Sequence, residues 1–392
     1  MPEAIAARSY DGVVLAAPVT FGYARRSEHE VPWFVGGTLA EMIRHAGIAK
    51  DEVDGLAVAS YRLVPDNAAS LSESLGLSPR FIQDFPYGGA SGVMALRRAA
   101  RAVQAGDANV VACIGADIPP PATASGANFS SFSRDHVYPY GAGGPNSVFA
   151  LITDRYMREN GATREDFGRL CIAQRANGVH FPPALLRTPL TMEDYLGARR
   201  IAEPLGLFDC VMRCCGAEGF LVMGEDRARS LGVPYVRIAS TIERHNAFAD
   251  DPVQSRVGTA RDAPQLWAQA GLGPEDMAFV QAYDDYPVIV MLQLEALGFC
   301  APGTAASFLS GRSLAADGDL PLNTNGGMLS LGQAGAAGGF AGLTEAIRQL
   351  TGQALGTAVP DAKAGVVSCY GTVNYDRGLC SSAAVLTRGK AA

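Results

Sequence analysis

Apolar residues follow two rhythms along the chain. Short, nearly unbroken runs such as VVLAAPV (13–19), VDGLAVAS (53–60) and VVACIGA (110–116) have the length and β-branched content of buried strands. Between them, 31–46 and 89–105 set apolar side chains at three- and four-residue steps, which predicts helices. The alternation returns later as YVRIAST (235–241), 261–270, AFVQAY (278–283), 337–350 and GVVSCYG (365–371). Alternating strands and helices of this kind predict an α/β fold with largely parallel sheets covered on both faces.

The two ends of the chain also repeat each other. AGIAKDEVDGLAVASY (46–61) resembles AGLGPEDMAFVQAYDD (270–285), each closing a helix, crossing an acidic turn and entering a strand. GASGVMALRRAARAVQAG (89–106) aligns with AAGGFAGLTEAIRQLTGQ (336–353), pairing Leu96, Ala99, Ala100 and Val103 with Leu343, Ala346, Ile347 and Leu350 on one helix face. VVACIG (110–115) then matches VVSCYG (366–371) at four of six positions. Three matches in one order mean a duplicated unit. The expected organisation is a first half over 1–230 and a second over 231–392, packed through helices 89–105 and 337–350. Residues 118–205 have no counterpart in the second half and read as a long inserted excursion that covers a site.

Composition narrows the classes. The 392 residues carry a net charge of −7 with no basic block, which argues against a nucleic-acid partner. No stretch of about 18 apolar residues occurs, and the first twenty residues lack a basic head before an apolar run, so the expectation is a cytoplasmic protein without a membrane span. Eight cysteines stand at irregular gaps with no CxxC pair, the usage of a reducing compartment. Cys210, Cys214 and Cys215 in DCVMRCCGAEGFLVMG run into a strand-like segment, so core packing is favoured over a metal site. His29, His45, His180 and His245 lie in polar or irregular contexts that predict solvent-facing rings; His136, within the excursion, is the histidine placed to reach a site.

One stretch poses a chemical question. PYGGASGVMAL (86–96) is a tight glycine turn opening an apolar helix, a geometry suited to an anion or a nucleophile, yet it holds no Cys, His, Lys or acid. With FDCVMRCCGAEGFLVMGEDRARSLG (208–232), VQAYDDYPVIVMLQLEALGF (280–299) and NTNGGMLSLGQAGAAGG (323–339), it resembles, in order, four motifs of the thiolase superfamily, in the branch typified by the sterol-carrier-protein-2 thiolases. The resemblance spans essentially the whole chain. It implies a thiolase-like five-layered αβαβα fold with two duplicated βαβαβαββ-type halves, a tight dimer and an acyl-CoA ligand.

The reactive positions depart from that family's pattern. Gly89 stands where the nucleophilic cysteine of the CxSG turn would be, Gln333 where the histidine of the GHP motif would be, and Tyr283-Asp284-Asp285-Tyr286 where HDCF would be. A Claisen-type thiolase needs one thiolate to hold the acyl group and a second thiol as acid and base. Cys369-Tyr370-Gly371 fits a CxG pattern, but Cys113 holds the repeat-equivalent place, so a buried strand cysteine explains it equally.

Tyr283, Asp284 and Asp285 bring new proton-handling groups to the altered site, with Tyr370 and Tyr375 at the end of a repeated strand. Gln333 and the backbone of Gly89 and Ala90 could stabilise an enolate oxygen. Gly335, Asn325, His136 and Tyr375 complete the expected binding residues. Asp284 fits a helix cap as well as it fits chemistry, and each tyrosine also fits simple packing.

Some cysteine-lacking relatives in this branch are similar to acyl-CoA aldolases that shorten steroid side chains alongside a DUF35-type OB-fold partner. The resemblance therefore implies retro-aldol cleavage of a β-hydroxyacyl-CoA, Tyr283 and Tyr370 moving protons with help from Asp284 or Asp285. It also implies a heterotetramer of two such chains with two partners, and no cofactor beyond the coenzyme A of the substrate. An acyltransferase using Cys369 and a non-catalytic lipid or acyl-CoA scaffold are the alternatives.

Overall fold

The structure, a computed structural model, describes residues 9–119, 138–142, 144–374 and 376–389. His136 and Tyr375 lie outside the described residues.

The expected strands and helices form close to where the apolar rhythm places them. In the first part of the chain these are β1 (Val13–Ala24), α1 (Val31–Ala46), β2 (Gly55–Ala59), α2 (Ala68–Leu75), β3 (Phe81–Asp84), α3 (Ser91–Ala105) and β4 (Val110–Asp117). Helix α1 shows the local logic. Its buried residues Val31, Phe34, Val35, Thr38, Leu39, Met42 and Ala46 keep a helical stripe, Pro32 opens it, and Gly47 closes it in the left-handed conformation.

The described residues of the excursion form α4 (Pro145–Asn160), α5 (Arg164–Val179), α6 (Met192–Gly197) and a small hairpin of β5 (Arg200–Ala202) and β6 (Leu205–Gly206). Its described helices pack on the second half of the molecule, where Phe149, Tyr156, Phe167 and Tyr195 share a core with Val288, Leu292 and Tyr370. The chain then continues through β7 (Cys215–Gly224), α7 (Glu225–Ser230), β8 (Tyr235–His245), α8 (Ala263–Ala270), β9 (Phe279–Ala282), α9 (Pro287–Leu297), α10 (Ala305–Leu309), α11 (Gly327–Leu331), α12 (Gly338–Thr351), β10 (Ala364–Asn374) and β11 (Arg377–Arg388).

Nine strands hydrogen-bond in the order β3-β2-β4-β7-β1-β8-β11-β10-β9. Read outward from the β1/β8 seam, β1-β7-β4-β2 on one side mirrors β8-β11-β10-β9 on the other, so the internal repeat is a repeat of structure. The symmetry fails at one edge. The counterpart of β3 is reduced to a single parallel bridge between Val280 and Leu322.

The largely parallel sheet expected from the alternation is a mixed one. Only β2 with β3, β2 with β4, and β9 with β10 run parallel. The other neighbours are antiparallel, because β10 turns straight into β11 with Asn374 paired to Arg377, and β7 returns beside β4 after the excursion. A tight hairpin cannot join parallel strands.

Five layers result. Helices α1 and α2 cover one outer face, packing with Val14, Leu56 and Ile114. Helices α8 and α9 cover the other. Between the two sets of strands, α3 and α12 share a core that draws on both, with Leu96, Ala99, Leu343 and Ile347 against Val111, Phe220, Phe279 and Val367. The expected helix pair is thus the central layer. A side-chain carbon on Gly92 would stand under 3.0 Å from the Gly339 carbonyl, and one on Gly339 under 3.0 Å from the Gly89 backbone. The two helix starts therefore meet backbone to backbone. Among the described residues no helix is long and apolar enough to cross a membrane.

Candidate active site

The carboxyl ends of β2, β4, β9 and β10 converge on the paired starts of α3 and α12, and the altered motifs meet there. The turn Gly88–Ala90 leads into α3, held by Ser91, whose Oγ accepts from the Tyr87 amide at 3.2 Å and donates to the Phe85 carbonyl at 3.0 Å. Gly89 has no room for a side chain. A carbon there would stand under 3.0 Å from the Tyr283 ring and from the Tyr370 carbonyl oxygen. The ring of Tyr283 thus occupies the space above the turn into which a residue at 89 would project.

Tyr283 is fixed from several sides. Its amide donates to the Ser368 carbonyl at 2.9 Å, and Gln293 Nε2 donates to its carbonyl at 2.7 Å. Its hydroxyl accepts from Gln333 Nε2 at 3.1 Å and lies beside Asp285; the same Gln333 nitrogen donates to Asp285 Oδ1 at 2.5 Å. Tyr283, Asp285 and Gln333 form a triangle bridged by Gln333 Nε2, so the Gln333 amide is committed to this pair. Gln333 itself is pinned through its backbone, donating to the Met212 carbonyl at 2.8 Å and accepting from the Cys214 amide at 3.0 Å. That contact explains the cysteine-rich segment. Cys214 is buried under Gly332, and the strand bridge between Arg213 and Gln333 brings the Arg213 charge toward Asp285.

Burial sets the proton affinities here. It pushes the Asp285 carboxyl up to about 7, with the charge of Asp284 adding to the rise and the Tyr283 hydroxyl and Arg213 opposing it. Burial, together with Asp285, holds the Tyr283 phenol well above its ordinary range, so it rests neutral beside the carboxylate. A carboxylate titrating near neutrality behind a neutral phenol is an arrangement for taking a proton through the phenol.

The other expected residues fall into different places. Asp284 points away from the triangle and receives the Met328 and Leu329 amides at 2.9 and 3.1 Å, holding the start of α11. It is a cap, though on α11 and not on α9, which begins at Pro287. Asn325 makes a local turn, accepting from the Gly327 amide at 2.9 Å. A side chain on Gly335 would collide with Asp117. Tyr370 is buried and stands beside the turn through its carbonyl. Its hydroxyl donates to Gln254 Oε1 and accepts from the Gly378 amide, so both its proton and its lone pair are engaged. Cys369 lies buried with its Sγ donating to the Gly339 carbonyl at 3.4 Å, and burial pushes its thiol up to about 12. It is not an activated nucleophile. His245 is half-exposed as expected but also meets Cys380, Nδ1 to Sγ at 3.2 Å.

Three contributors escaped the motif reading. Asp117, at the end of β4, accepts from Ser60 Oγ at 2.8 Å and from the amides of Tyr61, Arg62 and Ala336 at 2.7–3.1 Å, tying the β2 end to the Gln333 loop. Gln254 anchors Tyr370. Tyr61, following β2, brings its hydroxyl against Gly88. The repeat contained the signal for Tyr61: its place in 46–61 is the place of Asp285 in 270–285.

Comparison with known proteins places the chain in a family. Residues 240–385 match the family model described as thiolase C-terminal domain-like. The chain is 32% identical over 333 residues to a steroid side-chain-cleaving aldolase of Thermomonospora curvata, covering 79% of this chain and 83% of that protein. It is 32% identical over 335 residues to a 17-hydroxy-3-oxo-4-pregnene-20-carboxyl-CoA lyase of Mycobacterium tuberculosis, covering 80% and 84%. Among solved structures it is similar to the Ltp2-ChsH2(DUF35) aldolase, with a TM-score of 0.82 and 27% identity over 96% of this chain and 98% of the other.

Proposed function

Because this chain belongs to the steroid side-chain-cleaving aldolases of the thiolase superfamily, we propose that it cleaves the β-hydroxyacyl-CoA thioester of a steroid side chain to a ketone and a shorter acyl-CoA, such as propionyl-CoA or acetyl-CoA. The observation that carries this reading is the Tyr283 ring standing over Gly89, a proton-handling group in the space a covalent nucleophile would need.

The substrate β-hydroxyl gives its proton to the Tyr283 oxygen as the Tyr283 proton passes to Asp285. The Cα–Cβ bond breaks, its electron pair flows into the thioester as an enolate, and the carbinol carbon leaves as the ketone. The enolate oxygen lies at the Gly89–Ala90 turn, where the start of α3 favours negative charge. Gln333 holds Tyr283 and Asp285 in register, while Asp284, Asn325 and Tyr370 position the walls. This reaction needs no cofactor beyond the coenzyme A that the substrate carries.

The solved Ltp2-ChsH2(DUF35) aldolase supports a DUF35-type partner, which we take to be an OB-fold protein. We assign this chain a homodimeric core carrying two such partners, working in the cytoplasm. The test is turnover of a steroid β-hydroxyacyl-CoA by the complex with its partner: ketone and shorter acyl-CoA are expected in equal amounts, and intact mass after mixing shows no acyl adduct. An adduct on Cys369 would move the chain to the acyltransferases.

Asp285 makes the reaction pH-dependent with a definite sign. It accepts a proton only when ionised, so kcat/KM is expected to rise with pH through about 7 and level above it. Asp285→Asn is expected to abolish that limb and to lower kcat roughly 100-fold. A wild-type profile flat from pH 5.5 to 8 would remove Asp285 from proton transfer.

A further inference from the structure

Retro-aldol cleavage leaves an enolate that must gain a proton on its α-carbon, and the tyrosine expected to serve there is committed elsewhere. The Tyr370 hydroxyl both donates, to Gln254, and accepts, from Gly378, within a buried wall. Tyr61 differs on each point. The residue is 53% exposed, and its hydroxyl makes no hydrogen bond to a described residue.

That hydroxyl nevertheless has a defined position. Gly88 adopts a left-handed φ of 57°, and a side-chain carbon there would overlap the Tyr61 oxygen. Gly88 and Gly89 are thus consecutive turn residues kept bare beneath two phenols, Tyr61 over the first and Tyr283 over the second. The Tyr61 backbone is anchored as well, its amide and that of Arg62 held by Asp117, which also holds Ala336 three residues past Gln333. One buried carboxylate therefore fixes Tyr61 relative to the Tyr283–Asp285–Gln333 triangle.

We infer that Tyr61 is the acid that protonates the α-carbon of the enolate, acting from over Gly88 while Tyr283, over Gly89, takes the hydroxyl proton. In this step the Tyr61 O–H bond breaks, the enolate electron pair forms the new α-C–H bond as the thioester carbonyl is restored, and the phenolate regains a proton from solvent once the product leaves. Burial of the hydroxyl end, with the charges of Asp285 and Asp117, raises the affinity of the phenol for its proton, which keeps it loaded at neutral pH. Half-exposure of the residue gives it the solvent access that Tyr370 lacks.

The inference rests on the aldolase reading, and turnover in D2O separates the two. With the wild-type complex acting on a substrate that releases propionyl-CoA, one deuterium is expected at C2 with a single configuration. Tyr61→Phe, which removes only a hydroxyl from a half-exposed residue, is expected to lower kcat about 100-fold with KM within about twofold of wild type. It is also expected to deliver deuterium to both faces of C2, because water then quenches the enolate; loss of packing alone would not scramble the label. A Tyr61→Phe enzyme with wild-type kcat and stereospecific label would overturn the role of Tyr61 and leave the aldolase reading standing. A wild-type complex that yields no ketone would overturn both.

Discussion

Tyr283→Phe is expected to lower kcat by about 10²–10⁴-fold, the range over which a positioned proton-transfer group acts, while the protein still folds and still binds acyl-CoA. The ring stays in place because packing and backbone bonds hold it: Gly89 beneath, the Ser368 carbonyl on its amide and Gln293 on its carbonyl. What is lost is the oxygen joining the substrate hydroxyl to Asp285. Without it the Gln333 amide keeps its 2.5 Å bond to Asp285, so the carboxylate remains oriented but stands one phenol too far from the reacting proton. KM for the thioester should move little, since the interaction removed belongs to the transition state and not to uniform binding. Kinetics of the purified complex, with circular dichroism as a check on the fold, decide it. Turnover within threefold of wild type would mean that the hydroxyl proton leaves by another route.

The fold was legible because its signals are periodic. Strand runs, helix stripes and the internal repeat each restate one architecture, and the strand order mirrors around the β1/β8 seam for four strands on each side, β3 alone lacking a full counterpart. The strand directions were less legible, since they depend on whether a connection is a crossover helix or a hairpin, and the apolar runs of β10 and β11 look alike in either case. The site was legible where a family position had visibly changed, at Gly89, Gln333, Tyr283 and Asp285. It was illegible where a role depends on which way a side chain turns. Asp284 and Asp285 are adjacent and chemically identical, yet the structure sends one to the α11 amides and the other to the phenol. Tyr370 lies within a repeated strand and Tyr61 just after one, but only the packing shows that the first is enclosed and the second half-exposed.

Restoring a cysteine to the turn is expected to destroy activity and to create none. The first side-chain carbon of Gly89→Cys would stand under 3.0 Å from the Tyr283 ring and the Tyr370 carbonyl, and the turn cannot retreat because Gly339 presses on the Gly89 backbone from the α12 side. Tyr283 must therefore swing out and give up its bond to Gln333 and its place beside Asp285. Aldolase turnover should fall at least as far as in Tyr283→Phe, and the overpacking should cost about 1–3 kcal/mol of stability. Thiolysis does not appear in exchange, because Gln333 and Asp285 stand where an acid–base pair would have to activate the thiol. Coupling between the two positions can be measured directly. Gly89→Ala should cost less stability in a Tyr283→Ala background than in wild type, since the ring is gone while the clash with the Tyr370 carbonyl is common to both. Equal costs in the two backgrounds, or thiolytic turnover in the single Gly89→Cys enzyme, would show that the glycine is not there to seat the tyrosine.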